Sequence, residues 1–222
     1  MVKKFLEQAL KVSDIKDRAN CWLEDNHKEI LYRDLTLIDF NSLYPHIITQ
    51  LYNKGLIPES EEKYINKIKF LLENRLEIKE NDPDEYYELR KFTNAYWGNL
   101  LRRYHPKNAQ YVTDYLYNFY LDLIGDNPDN IVYADCDMIF INNINDNILN
   151  KIKALDIPYN TGNIEYFYIE NKKKLCYTDE NNFIKTKGWG NNNLRSNVDK
   201  KRLLERIIIE ARRNDKLLEL GI

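Results

Sequence analysis

Two strand-like apolar runs, each carrying carboxylates near its end, constrain this 222-residue chain more than any other feature. The first, Ile30 to Phe40, contains Ile30, Leu31, Leu35, Leu37, Ile38 and Phe40, with Asp39 next to last, and reads as one or two short strands. The second, Asn130 to Asn142, reads as two strands with Asp135-Cys136-Asp137 at their junction. In a strict strand, Asp135 and Asp137 share one face. Carboxylates gathered at the strand ends of one sheet repel unless they share cations, and Mg2+ is held by one or two carboxylates together with substrate phosphates. That grouping points to two-metal phosphoryl transfer. An isolated Asp-x-Asp is more often a turn or strand-end feature, so the flanking segments decide.

Between the two runs the period changes to that of helices. From Ser60, placed as an N-cap, to about Asn81, the residues Tyr64, Ile65, Ile68, Leu71, Leu72 and Leu76 recur at three and four. A second helix is expected from about Pro83 to Arg103, after a break at Asn81-Asp82-Pro83-Asp84, which makes a helical hairpin. A third helix is expected around Asp114 to Ile124. Further strands are expected at Ile164–Tyr168, Leu175–Tyr177 and Phe183–Lys187, then a charged amphipathic helix or helix pair over Val198–Leu220. Residues 1–30 read as a helix followed by a polar connection around Glu24-Asp25-Asn26.

Composition narrows the class. Hydrophobic residues make up 43% and charged residues 31%, with 7 Gly and 6 Pro, so the chain is globular and not low-complexity or disordered. No apolar stretch approaches the roughly 18 residues of a membrane span, and the amino terminus lacks a long apolar signal region. No membrane partner and an intracellular setting are therefore expected. Three dispersed cysteines, Cys21, Cys136 and Cys176, encode neither a disulfide framework nor a paired-cysteine zinc site. The net charge of −2 hides a split: residues 172–222 hold 13 basic and 7 acidic residues, net +6, leaving −8 for residues 1–171. A basic back end suits contact with a polyanion, although a solvated basic tail is the commoner cause of such a split.

In this setting the motifs resemble those of family B DNA polymerases. Asp39-Phe40-Asn41-Ser42-Leu43-Tyr44-Pro45 is similar to the first palm motif, D-x-x-S-L-Y-P, and Tyr133-Ala134-Asp135-Cys136-Asp137 to Y-x-D-T-D. Between them, Arg90-Lys91-Phe92-Thr93-Asn94-Ala95-Tyr96-Trp97-Gly98 is similar to the fingers motif K-x-x-x-N-S-x-Y-G. Leu71 to Lys79 resembles the other fingers helix, with Arg75 and Lys79 four apart. Lys172-Lys173-Lys174-Leu175-Cys176-Tyr177 and Ile184-Lys185-Thr186-Lys187-Gly188 loosely resemble the basic K-x-Y region and its K-G ending. The five stand in the family's order across residues 39–188.

The resemblance implies an α+β fold: a polymerase palm with an antiparallel β-sheet, helical-hairpin fingers and a very small helical thumb. It divides the chain into an N-terminal helical segment (1–29), palm (30–58), fingers (59–104), palm (105–188) and vestigial thumb helices (189–222). It assigns Asp39, Asp135 and Asp137 to catalysis, with Asp39, Asp137 and the Phe40 carbonyl holding two Mg2+ ions, or Mn2+. Ser42, Leu43, Tyr44, Arg75, Lys79, Arg90, Asn94 and Trp97 would bind the nucleotide, Tyr44 excluding a ribose 2′-hydroxyl. Gly98, Tyr133, Lys173, Lys174, Tyr177, Lys185 and Lys187 would hold primer and template. The partners implied are DNA primer-template and dNTPs.

Departures from the family pattern bear on that expectation. Arg90 stands where the family has Lys, Ala95 where it has Ser and Trp97 where it has Tyr, and Cys136 and Met138 flank Asp137. Arg does not readily donate a proton near neutral pH, which weakens any general-acid role there. The 38 residues before Asp39 leave no room for a proofreading exonuclease. Three functions follow as expectations: a minimal polymerase without proofreading, part of a split replicase with a separate exonuclease, thumb or processivity subunit, or a non-catalytic palm that binds primer-template.

Overall fold

The computed structural model describes residues 21–22, 29–96, 106–127, 129–135, 137–171, 174–178, 181, 183–187, 197–213 and 217–218. The chain forms two compact units, one containing Asn41–Asp122 and the other Cys21–Phe40 with Leu123–Ile222. No described helix is long and apolar enough to cross a membrane.

Among the described residues, the second unit is built on an eight-stranded sheet. Its strands are β1 (Cys21–Trp22), β2 (Ile30–Phe40), β3 (Ile131–Asp135), β4 (Met138–Ile141), β5 (Tyr159–Asn171), β6 (Lys174–Thr178), β7 (Ile184–Lys187) and β8 (Leu217–Leu218). They run in the order β1-β3-β4-β2-β5-β6-β7, all antiparallel, and β8 pairs parallel to β2 at Leu31 and Tyr32. The run expected as one or two strands is thus a single central strand. Its centrality explains why its apolar residues do not simply alternate: both faces are covered.

One face carries Tyr32, Leu35, Leu37, Tyr133, Phe140, Phe167 and Tyr177, with Phe140 and Phe167 only 4.2 Å apart between ring centroids. Against the other, Leu31 and Cys176 pack with Leu204, Ile207 and Ala211 of the helix Asn197–Arg213. A strict strand would put Tyr32 and Leu35 on opposite faces. They share a face because Asp34, between them, has φ 56° and falls at a gap in the β2–β5 pairing.

The first unit is helical: α1 (Leu43–Asn53), α2 (Glu62–Asn81), α3 (Pro83–Ala95) and most of α4 (Pro106–Asp126). The expected break is present, with Asp82 accepting the Glu85 N–H at 2.9 Å and Pro83 at the first helical position. Ser60 is not the cap of α2: it lies inside a 3-10 turn, Glu59–Glu61, and Glu61 precedes the helix without a side-chain capping bond. Described α3 ends at Ala95, while residues 97–105 lie outside the described set. α4 starts earlier than expected because Ala109, Val112 and Leu116 extend its buried stripe.

Three other elements of the second unit depart from the sequence reading. α5 (Asp146–Ala154) was not anticipated; its buried stripe is only Ile148 and Ile152, capped by Asn145 Oδ1 accepting the Ile148 N–H at 2.9 Å. The described part of the carboxy-terminal helix, α6 (Asn197–Arg213), ends at Arg213, and Leu217–Leu218 is strand, not helix. Cys21–Trp22 pairs with β3 inside a stretch read as helix and polar connection, whereas residues 1–20 lie outside the described set.

Candidate active site

β2, β3 and β4 bring the three expected carboxylates to one end of the sheet. Asp39 pairs with Met138 across β2–β4, and Asp135 pairs with the same Met138 across β3–β4. Asp137 lies in the turn between β3 and β4, where its carbonyl accepts the Phe40 N–H at 2.8 Å. The expected junction of two strands at Asp135-Cys136-Asp137 is present: β3 ends at Asp135 and β4 begins at Met138. Asp135 and Asp137 are gathered because a tight β3–β4 hairpin turns between them and β2 closes on it from the other side.

The Asp137 carboxyl is shifted by its surroundings, the charge of Asp39 among them. Asp137 keeps part of its surface in water, but protein atoms around it strip away enough hydration to push its carboxyl above the ordinary value. Its own backbone N–H opposes the shift, and the negative charge of Asp39 adds to it. Asp39 itself is half-buried. Phe40 is buried, with its ring edge-on to Tyr159 at 6.2 Å.

A carboxyl whose ionisation is made costly by lost hydration and by a neighbouring carboxylate is a donor that a hard divalent cation relieves. Among the described side chains no group of three His, Cys, Asp or Glu residues stands in metal-holding positions, and the side chain of Asp135 lies outside that set. Asp39 and Asp137 remain as two described carboxylates at this end of the sheet, and Mg2+ is commonly held by one or two carboxylates.

Within the helical unit the structure joins two residues that are 33 apart in sequence. Arg75 Nη1 donates to Ser42 Oγ at 3.2 Å. Ser42 precedes α1 in a left-handed conformation, φ 55° and ψ 45°, a strained geometry for a residue with a side chain. Leu43 is buried and Tyr44 is half-buried. Arg75 is half-buried on α2, while Lys79, Arg90 and Asn94 are exposed on the hairpin. Trp97, Gly98 and Lys173 lie outside the described residues.

Two expected primer-template residues are corrected. Tyr133 is 0% exposed and its ring packs against Phe140 and Phe167, so it is core and cannot touch nucleic acid. Tyr177 is also buried; its ring meets Phe140 edge-on at 5.2 Å and its hydroxyl lies 4.0 Å from Met138 Sδ. Lys185 is exposed, its Nζ 5.9 Å from the Tyr177 ring centroid. Lys174 and Lys187 sit on β6 and β7, with side chains outside the described set. Met138, which sequence reasoning passed over, is the residue that both Asp39 and Asp135 pair with; its position next to Asp137 was the available signal.

No protein-family model and no curated protein matches the sequence. Among solved structures the fold is similar to that of the family B DNA polymerase from the hyperthermophilic archaeon Pyrobaculum calidifontis, with a TM-score of 0.51 and 20% sequence identity. The similarity covers 83% of this chain and 32% of that one, so the chain spans about a third of the polymerase's length. At this identity the likeness is one of fold: an α+β arrangement compatible with part of a DNA polymerase.

Proposed function

We propose that this chain is a DNA-directed DNA polymerase core that adds deoxynucleotides to a primer 3′-hydroxyl. The observation that carries the reading is the convergence of Asp39, Asp135 and Asp137 at one sheet end, with Asp39 and Asp137 raising each other's cost of charge, in a fold similar to a DNA polymerase. Asp39 and Asp137, with Asp135 beside them and the Phe40 carbonyl, would hold Mg2+ or Mn2+. When bound, such ions make a hydroxyl more acidic and neutralise charge on the transferring phosphate.

The protein's own residues supply the rest. Arg75 offers a guanidinium fork suited to bidentate phosphate contact, and a phosphate oxygen can take over the bond it now gives Ser42. Lys79 and Arg90, exposed on the hairpin, add positive charge for the triphosphate, and Asn94 shares the face of Arg90. Tyr44 discriminates against a 2′-hydroxyl, and exposed Lys185 attracts backbone phosphate.

Gel-resolved extension of a labelled primer on a DNA template, with dNTPs and rNTPs in separate reactions, tests the reading. Extension with Mg2+ that falls by about a hundredfold or more in Asp39→Asn and Asp137→Asn is expected. Wild-type-like extension by either variant contradicts it. Equal use of rNTPs contradicts the role of Tyr44 alone.

A further inference from the structure

The base of the helical hairpin holds a buried carboxyl–phenol pair that the reading above leaves unused. Tyr96 is 0% exposed and Glu61 5%, and Tyr96 Oη donates to Glu61 Oε2 at 2.9 Å. Glu61 immediately precedes α2, and Tyr96 immediately follows α3, in a π turn where its N–H reaches the Phe92 and Thr93 carbonyls. The bond ties the beginning of one helix to the end of the other. Burial first, then the bond to Glu61 and its charge, push the Tyr96 phenol well above its ordinary value, so it remains a donor.

Three rings close the same junction. Tyr64 stacks on Tyr96 at 5.4 Å and on Phe92 at 6.2 Å, and Phe92 lies 6.4 Å from Tyr96. Lys67 Nζ covers the Phe92 ring at 5.0 Å, and Thr93, also buried, donates its hydroxyl to the Leu89 carbonyl. Phe92 and Tyr96 are four apart and share a face of the helical segment. Arg90 and Asn94 are offset from them by two residues, about 200° around a helix axis, and both are exposed. The rotation that stacks Phe92 on Tyr64 and buries Tyr96 is therefore the one that turns Arg90 and Asn94 outward.

Stacked rings tolerate sliding and rotation over one another, because their attraction has a broad optimum. A hydrogen bond between buried partners does not, since misalignment leaves desolvated polar atoms poorly matched. We infer that Glu61 and Tyr96 are positioning residues for nucleotide binding: their bond sets the rotation of α3 and so the presentation of Arg90 and Asn94 to a nucleoside triphosphate. This rests on the nucleotidyl-transfer reading above.

The test uses the full chain as wild type, Tyr96→Phe, Glu61→Leu and Glu61→Gln. Single-nucleotide primer extension with Mg2+ gives KM and kcat for a dNTP, and calorimetry gives the affinity for dATP without turnover. Tyr96→Phe, which keeps the ring stack, and Glu61→Leu are expected to raise the dNTP KM and weaken dATP binding about tenfold. Over the same variants kcat stays within about threefold and primer-template affinity is unchanged. Glu61→Gln, which keeps an acceptor, returns both to within about twofold of wild type.

An unchanged KM in Tyr96→Phe, or equal damage from Gln and Leu at position 61, overturns the inference. Should Tyr96→Phe fail to fold, the comparison of Gln with Leu at position 61 decides. A wild-type chain that binds dATP without extending primer, with the same tenfold weakening in Tyr96→Phe, removes the polymerase reading and leaves the positioning role. A wild-type chain that does neither removes both.

Discussion

Asp137 shows how a carboxylate is held at a cost to the fold. Its folded carboxyl titrates above the ordinary carboxylate value, chiefly because of lost hydration and secondarily because of Asp39. Between the ordinary value and the raised one the native state holds more protons than the unfolded state, so stability falls as pH rises through that window. Asp137→Asn removes this effect. In EDTA its melting temperature is expected to exceed wild type near neutral pH, with the lead shrinking as pH falls toward the ordinary carboxylate value; a constant difference contradicts the raised Asp137 carboxyl. Asp34 gives a second test at this scale. With φ 56°, Asp34→Gly should stay within about 0.5 kcal/mol of wild type, while Asp34→Val, poorly suited to that conformation, should cost about 1–2 kcal/mol in urea unfolding. Cys176 is buried and its thiol is pushed up to about 12 by desolvation, so mass-mapped alkylation at pH 8 should modify it only under denaturant.

At the scale of elements, local chemistry accounts for the pieces most clearly read from sequence. The α2–α3 hairpin was legible because Asp82 and Pro83 are a cap and a first-turn residue whose preferences need no partner from elsewhere. Asp82→Ala should cost about 1 kcal/mol in chemical denaturation; a loss below about 0.3 kcal/mol would show that tertiary packing alone holds α3. Elements missed were those whose local signal is faint. α5 presents two buried apolar residues, too few to establish a period, and Leu217–Leu218 is strand only because β2 offers it an edge at Leu31 and Tyr32. Ser60 was misplaced as a cap because a 3-10 turn consumes it one residue before the helix begins.

For the molecule as a whole, ligand linkage ties the sheet end to stability. If Asp39 and Asp137 share a divalent cation, millimolar Mg2+ should raise the melting temperature of the wild-type chain by a few degrees, as any ligand of the native state does. The same addition should leave Asp39→Asn/Asp137→Asn unmoved beyond the effect of matched ionic strength. An equal response in both proteins excludes that site as the origin. The measurement needs no primer, template or turnover, and so stands apart from the extension assay.

The sequence by itself determined the kinds of element and the chemistry they carry: two acidic strand ends, a helical hairpin with cations on it, and a basic back end. These follow from side-chain period and from caps, which act over a few neighbours. Only the tertiary structure decided which face each residue occupies. One backbone angle at Asp34 shifts the alternation of β2, so that Tyr32 and Leu35 line the same core. Tyr133 and Tyr177 go to the aromatic core because Phe140 and Phe167, on other strands, complete it. Facing is set by backbone dihedrals and by partners far away in the chain, and neither leaves a mark on local composition.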